Sequence, residues 1–202
     1  MKIINLTANK RIYTSNVYLL TGDWNRMEDI NTLVDAGRDP DIIEAIYAAS
    51  TGIGKKKVEQ LIITHSHYDH ASLLNTVKDQ FNARVYAYSS CLQNVDHQVK
   101  GGEMLKIADQ MGEILYSPGH STDSICVYCE AEGILFAGDT PLIVRSPGGS
   151  FEAGYVKFIE SLCRRQVQKI YFGHGAPLTE GCSRILQVSL RNIYASTITC
   201  KQ

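Results

Sequence analysis

The sequence predicts an α+β domain in which two β-sheets are covered by helices on their outer faces. Two observations carry this expectation. Short apolar or β-branched runs recur along the chain, punctuated by Gly, Asn and Asp, in the manner of strands. Longer stretches with apolar residues three and four apart fall between and after them, in the manner of amphipathic helices. Elements that are apolar on one face bury it only by stacking in layers. No linker rich in Pro, Gly or Ser and no low-complexity segment interrupts the 202 residues. Residues 1–202 therefore read as a single domain, long enough to bury a substantial core.

In order, strands are expected at 2–7, 16–21 and 31–35, with Gly22 beside Asp23 and Ala36 beside Gly37 marking turns. Asp39 is a natural helix N-cap, Pro40 suits the first helical position, and Ile42, Ile43, Ile46 and Tyr47 form an apolar stripe. That helix closes near 51–54. The run VEQLIIT at 58–64 reads as a buried strand leading straight into HSHYDH at 65–70. A helix at 71–80 and a strand at 84–88 follow. In the second half, strands fit 103–108, 113–116, 124–129, 134–137 and 169–172. Helices fit 155–165 and 179–193, the latter as an amphipathic closure.

Composition removes several function classes. Hydrophobic residues at 44% and charged residues at 20% give a globular balance, without the charge excess of a disordered chain. Twenty basic against twenty-one acidic residues imply no basic face, so nucleic acid is not expected as a partner. The N-terminal apolar stretches are broken by Asn, Lys and Arg, unlike a signal peptide. No run approaches the roughly 18 apolar residues of a bilayer span, so no membrane association is expected. Six scattered cysteines (Cys91, Cys126, Cys129, Cys163, Cys182 and Cys200) read as reduced thiols of a cytoplasmic protein. Cys126 and Cys129 share redox-motif spacing, but on a strand residues three apart face opposite sides. The glycines of SPGGS are not followed by the helix start of a phosphate-cradling loop.

The chemistry concentrates in HSHYDH, where His65, His67 and His70 lie within six residues, with Asp69 among them. Imidazole and carboxylate are ligands of first-row metals. Residues two apart in an extended segment point the same way, so His65 and His67 can grip one ion. Asp69 and His70 fall where the chain should turn into a helix and would address a neighbouring position. Further candidates stand beside glycine just past predicted strands: His120 in SPGHST, Asp139 in FAGDT and His174 in YFGHG. Burying three adjacent imidazoles and a carboxylate without a metal would be costly. His97, in NVDHQVK, lacks such a context and reads as a surface residue.

HSHYDH followed in order by His120, Asp139 and His174, together with VDAG at 34–37, SPGHSTDS at 117–124 and GDT at 138–140, resembles the metallo-β-lactamase superfamily. The resemblance spans the chain and implies a four-layer αββα sandwich with metals at one edge of the two sheets. It assigns His65, His67 and His120 to one metal, Asp69, His70 and His174 to a second, and Asp139 to both. Asp35 takes the acidic position that supports the site from behind the ligands. The implied cofactor is two zinc ions per chain, with iron or manganese as the alternatives.

The expected activity is hydrolysis, a metal-bridging hydroxide attacking the carbonyl of a thioester, ester or lactone, with Asp69 also accepting a proton. SPGHSTDS is most similar to the glyoxalase II branch. Those enzymes carry a further C-terminal helical region that grips glutathione, whereas this chain ends soon after His174, which disfavours a glutathione thioester. The alternative is a persulfide-oxidising oxidoreductase holding one iron in the same ligands. The loop at 141–154 is expected to overhang the site, where Arg145, Tyr155 and Lys157 could hold an anionic small-molecule substrate, and Trp24 could form a wall. A homodimer is left open.

Overall fold

The computed structural model describes residues 1–8 and 12–199. In chain order the elements are β1 (Lys2–Asn5), β2 (Tyr18–Thr21), β3 (Thr32–Val34), α1 (Ile42–Ala48), β4 (Gln60–Ile63), α2 (Tyr68–Ala71), α3 (Leu74–Phe81), β5 (Arg84–Ala87) and β6 (His97–Gln98). Then follow β7 (Met104–Ile107), β8 (Gln110–Tyr116), β9 (Ile125–Cys129), β10 (Ile134–Gly138), β11 (Ser150–Glu152), α4 (Ala153–Cys163), β12 (Lys169–Phe172), α5 (Cys182–Tyr194) and β13 (Thr197–Thr199). The first sheet runs in sequence order from β1 to β6, and the second is ordered β12-β10-β9-β8-β7. In the first, β1, β2 and β3 pair antiparallel and β3 to β6 parallel. In the second, β7 to β10 form an antiparallel meander and β12 joins β10 in parallel.

Strand alternation produces the layers. In the first sheet Leu19, Leu33, Leu61 and Ile63 point outward onto Ile42, Ile46, Leu74 and Val77 of the helices. Their neighbours Tyr18, Leu20, Val34 and Ile62 point inward and meet Ile114, Val127, Cys129 and Phe136 of the second sheet. The opposite face of that sheet, with Cys126, Leu135 and Ala137, buries Tyr155, Phe158, Ile159 and Leu186 of α4 and α5. The result is helix, sheet, sheet, helix: the expected αββα sandwich. Each fully buried Leu, Ile, Val or Phe here is worth about 1.5–3 kcal/mol relative to exposure. Cys126 and Cys129 fall in different layers, as alternation requires. Burial pushes their thiols up, to about 11 and about 12. The five described cysteines are free, and Cys200 lies outside the described residues.

Several expectations change in detail. The first helix begins at Ile42, because Asp39 closes a preceding turn, its carboxylate accepting the Asp41 N–H at 3.1 Å. The helix expected at 71–80 is α3, beginning at Leu74, and a separate short helix, α2, precedes it. The short strands β6, β11 and β13 add to those the sequence predicts. His97 lies in β6, half-buried, with Nε2 2.6 Å from Glu103 Oε1. Among the described residues no helix is long and apolar enough to cross a membrane.

Candidate metal centre

The ligand-type side chains all leave strand ends or the loops between strands. His65 follows the end of β4, only 1% exposed. His67 is extended and caps α2, whose first turn carries Asp69 and His70. His120 comes from the loop between β8 and β9, Asp139 follows β10, and His174 follows β12. At this edge the Ile125 N–H donates to Thr64 O at 2.9 Å and ties the two sheets together, while within the second sheet the Gly173 N–H donates to Gly138 O at 2.7 Å.

Three overlapping groups result. His65, His67 and His120 offer nitrogens within 4.8 Å of one another; so do the donor atoms of Asp69, His70 and His174, and those of His65, His70 and Asp139. Asp139 stands between the first two groups. Its Oδ1 is 3.3 Å from His70 Nε2, and its Oδ2 lies 3.7 Å from His120 Nε2 and 3.5 Å from His174 Nε2. The backbone approaches so closely that Gly173 admits no side chain: a Cβ there would lie 2.2 Å from Asp139 Oδ1 and 2.6 Å from His70 Cε1.

Groups behind the ligands aim them. Asp35, 1% exposed and in the left-handed region (φ +60°), accepts the Thr64 N–H at 2.8 Å and its hydroxyl at 2.9 Å, and lies 2.8 Å from His70 Nδ1. With Nδ1–H committed to Asp35, His70 presents Nε2 inward. Asp123 accepts the Ser66 N–H at 2.9 Å and the Ser121 hydroxyl at 2.7 Å, so one carboxylate braces both histidine loops. Ser117 Oγ and Thr140 Oγ1, 2.9 Å apart, join the His120 loop to the Asp139 turn.

The electrostatics favour a positive occupant. Burial lowers the basicity of His70, but Asp35 and Asp139 outweigh it and push its pKa up to about 10. Burial and the neighbouring His70 push His65 down to about 4. Burial opposes ionisation of Asp139, but His70, then His174 and His65, bring it down to about 2. The donor set also fits a metal on geometry. Nε2 of His65, His70 and His174 is buried without a hydrogen-bond partner, although His174 Nε2 is 3.0 Å from Asp69 Oδ2, off the hydrogen-bond direction. His67 Nδ1 and His120 Nε2 converge to 2.9 Å. Orphaned buried nitrogens converging on carboxylates are costly unless a cation completes them.

Other expected contacts are corrected. Tyr155 is 2% exposed, its ring stacks on Phe151 and its hydroxyl donates to Pro141 O, so it packs in the core and is not open to a substrate. The cleft at the histidines, about 250 Å³, is lined by His120, Gly138, Asp139, Thr140, Phe172 and His174, and neither Arg145 nor Lys157 lines it. The segment after Pro141 lies along α5, where the Val144 N–H donates to Ser189 Oγ and Asn192 Nδ2 donates to Val144 O. Arg145 borders a separate cleft there. Trp24 is 81% exposed and borders clefts remote in composition from the histidines. Sequence reasoning missed Tyr13, whose ring stacks on His174 with centroids 5.1 Å apart, and Asn16 and Asp123, which stood as ordinary polar residues.

Residues 12–90 match the family model of the metallo-β-lactamase superfamily. Over this stretch the chain is similar to that superfamily. A hydroxyacylglutathione hydrolase from Nitrobacter hamburgensis is 28% identical over 179 residues, covering 84% of this chain and 67% of that protein. The chain spans about half to two thirds of the length of the first curated relatives it matches. Two solved structures share the fold at 18% identity. A metallo-β-lactamase family protein from Thermus thermophilus has a TM-score of 0.66, covering 96% of this chain and 79% of its own. ETHE1 from Myxococcus xanthus has a TM-score of 0.64, covering 96% and 88%. The His and Asp clusters are candidate ligands for a divalent metal.

Proposed function

We propose that the protein is a hydrolase using two divalent cations, zinc foremost, to cleave a thioester, ester or lactone with water. The observation that carries the proposal is the pair of donor triads with Asp139 between them, holding buried imidazole nitrogens that no protein group satisfies. His65, His67 and His120 would hold one cation, Asp69, His70 and His174 the other, with Asp139 reaching both. Bound there, such a pair supplies an activated water at neutral pH and polarises the carbonyl it attacks.

The chain's own groups do the rest. Asp35 fixes the His70 tautomer, so the imidazole acts through Nε2. Asp69, partly open to solvent, can take a proton as the tetrahedral intermediate collapses. The open cleft beside His120, Phe172 and His174 admits a small acyl substrate. The name hydroxyacylglutathione hydrolase carried by the relatives supports a thioester as the first substrate to try, with a small molecule as the partner.

The test is metal analysis of the purified chain with a panel of thioesters (a hydroxyacylglutathione included), esters and lactones. The expected result is about two zinc ions per chain and hydrolysis abolished by chelation and restored by metal. Full hydrolysis after complete metal removal would overturn the proposal. One iron per chain with oxygen uptake on a persulfide would instead support an oxidoreductase. Asp69→Asn retaining both metals and full turnover would remove the proton-accepting role.

A further inference from the structure

The segment at 13–16 runs between β1 and β2 and belongs to neither set of ligands, yet it is bonded to both loops that carry the second triad. The Ser15 N–H donates to Asp69 O at 3.1 Å, and the Asn16 N–H donates to Gly173 O at 2.6 Å. The Asn16 side chain goes further. Its Nδ2 donates to Phe172 O and to Gly175 O, each at 2.9 Å, so one amide spans the turn from which His174 projects. Asn5 Nδ2 donates to Asn16 Oδ1 at 3.0 Å, which fixes the amide's orientation. The Tyr18 hydroxyl, from β2, donates to Phe172 O at 2.8 Å. Above this strap, the ring of Tyr13 lies nearly parallel to that of His174, at 14°. No contact of this kind runs from the segment to His65, His67 or His120 among the described residues. Those loops are braced instead by Asp123, Ser117 and Thr140.

Beside Phe172, which packs on the core, and the stacked His174 ring, the two glycines of this turn offer no side-chain packing. Gly173 can bear no side chain and Gly175 has φ +80°, so hydrogen bonds to their backbone hold this part of the turn. A donor that engages two carbonyls of one turn therefore fixes where the histidine points.

We infer that Asn16 is a positioning residue for the second cation alone: by bracing the turn at 172–175, which shares its strap with the Ser15 bond to the Asp69 loop, it sets the affinity of the Asp69–His70–His174 position without affecting the His65–His67–His120 position. This rests on the two-cation reading above.

The test is titration of the full chain, stripped of metal, with cobalt(II), following its ligand-field absorption and counting bound ions by native mass spectrometry. The wild-type chain is expected to take two equivalents. Asn16→Ala is expected to take the first with unchanged affinity and the second ten- to a hundredfold more weakly, the usual loss when a group supporting a ligand is removed. Tyr18→Phe, which loses the bond to Phe172 O and the hydroxyl's contact with the Asn16 side chain but keeps the Asn16 bonds to the turn, is expected to weaken the second equivalent by less. Two equivalents bound as tightly by Asn16→Ala as by wild type would overturn the inference. So would equal weakening of both, which marks a general structural role. If Asn16→Ala does not fold, Tyr18→Phe decides: weakening confined to the second equivalent supports the inference, and unchanged binding overturns it. A wild-type chain that takes fewer than two equivalents contradicts the two-cation reading itself, a result distinct from the others.

Discussion

At the scale of single residues, the site is a set of imidazoles whose protonation is decided by the carboxylates behind them. In the metal-free chain, Asp35 and Asp139 keep a proton on His70, with its pKa at about 10. A cation entering the second position must displace that proton from Nε2. Metal affinity should therefore rise steadily with pH between about 6 and 9, with about one proton released at neutral pH. Calorimetry in buffers of different ionisation enthalpy checks this, and a pH-independent affinity would contradict it. Asp35→Asn keeps the shape but leaves His70 Nδ1 without its carboxylate. Metal affinity is expected to fall ten- to a hundredfold, read by competition with a chromogenic chelator. The ligand residues were legible because HSHYDH concentrates them and the later ones stand beside glycine at strand ends. Asn16 and Asp123 were not, since an amide or carboxylate that bonds distant backbone looks like any loop residue until the fold brings its partner close.

At the scale of elements, alternation and apolar spacing located the main strands and helices, with β12 at the expected bounds. What escaped was β6, β11 and β13, which span two or three residues each. Their pairing is long-range, Ser150 opposite Thr197 for example, so no local pattern announces them. Tyr155 was misread for a related reason: a tyrosine beside an open loop reads as exposed, but α4 turns it onto Phe151 and the core. The turn after β12 shows how tightly elements constrain the site. Gly173→Ala would drive a methyl group into Asp139 and His70. The fold should persist, because the clash is at a loop, while metal binding is lost; circular dichroism with metal analysis tests both. Phe136→Ala, between the sheets, should do the reverse, costing about 3–5 kcal/mol in denaturant unfolding while the ligands keep their positions.

At the scale of the whole molecule, two sheets from separate halves of the chain are joined at the edge where the ligands meet, so metal and fold are linked. In the metal-stripped chain the sign of that linkage follows from the shifted groups. The contribution of His70, raised from 6.5 to about 10, is present below pH 6.5 and lost as pH rises through 10. That of His65, lowered to about 4, is present above 6.5 and lost as pH falls through 4. That of Asp139, lowered from 3.8 to about 2, is lost as pH falls through 2. Thermal stability of the stripped protein should therefore peak near pH 6.5 and decline on both sides. A monotonic rise from about pH 6 to 9 would contradict this. Restoring metal at about a thousand times its dissociation constant should add about 4 kcal/mol.

The central claim is that residues from four separated stretches enclose two cations, and anomalous diffraction at the zinc edge from metal-loaded crystals tests it most directly. Two peaks are predicted, one enclosed by His65, His67 and His120 and one by Asp69, His70 and His174, with the Asp139 carboxylate between them. An empty map at these residues, or zinc bound only elsewhere on the surface, would contradict it.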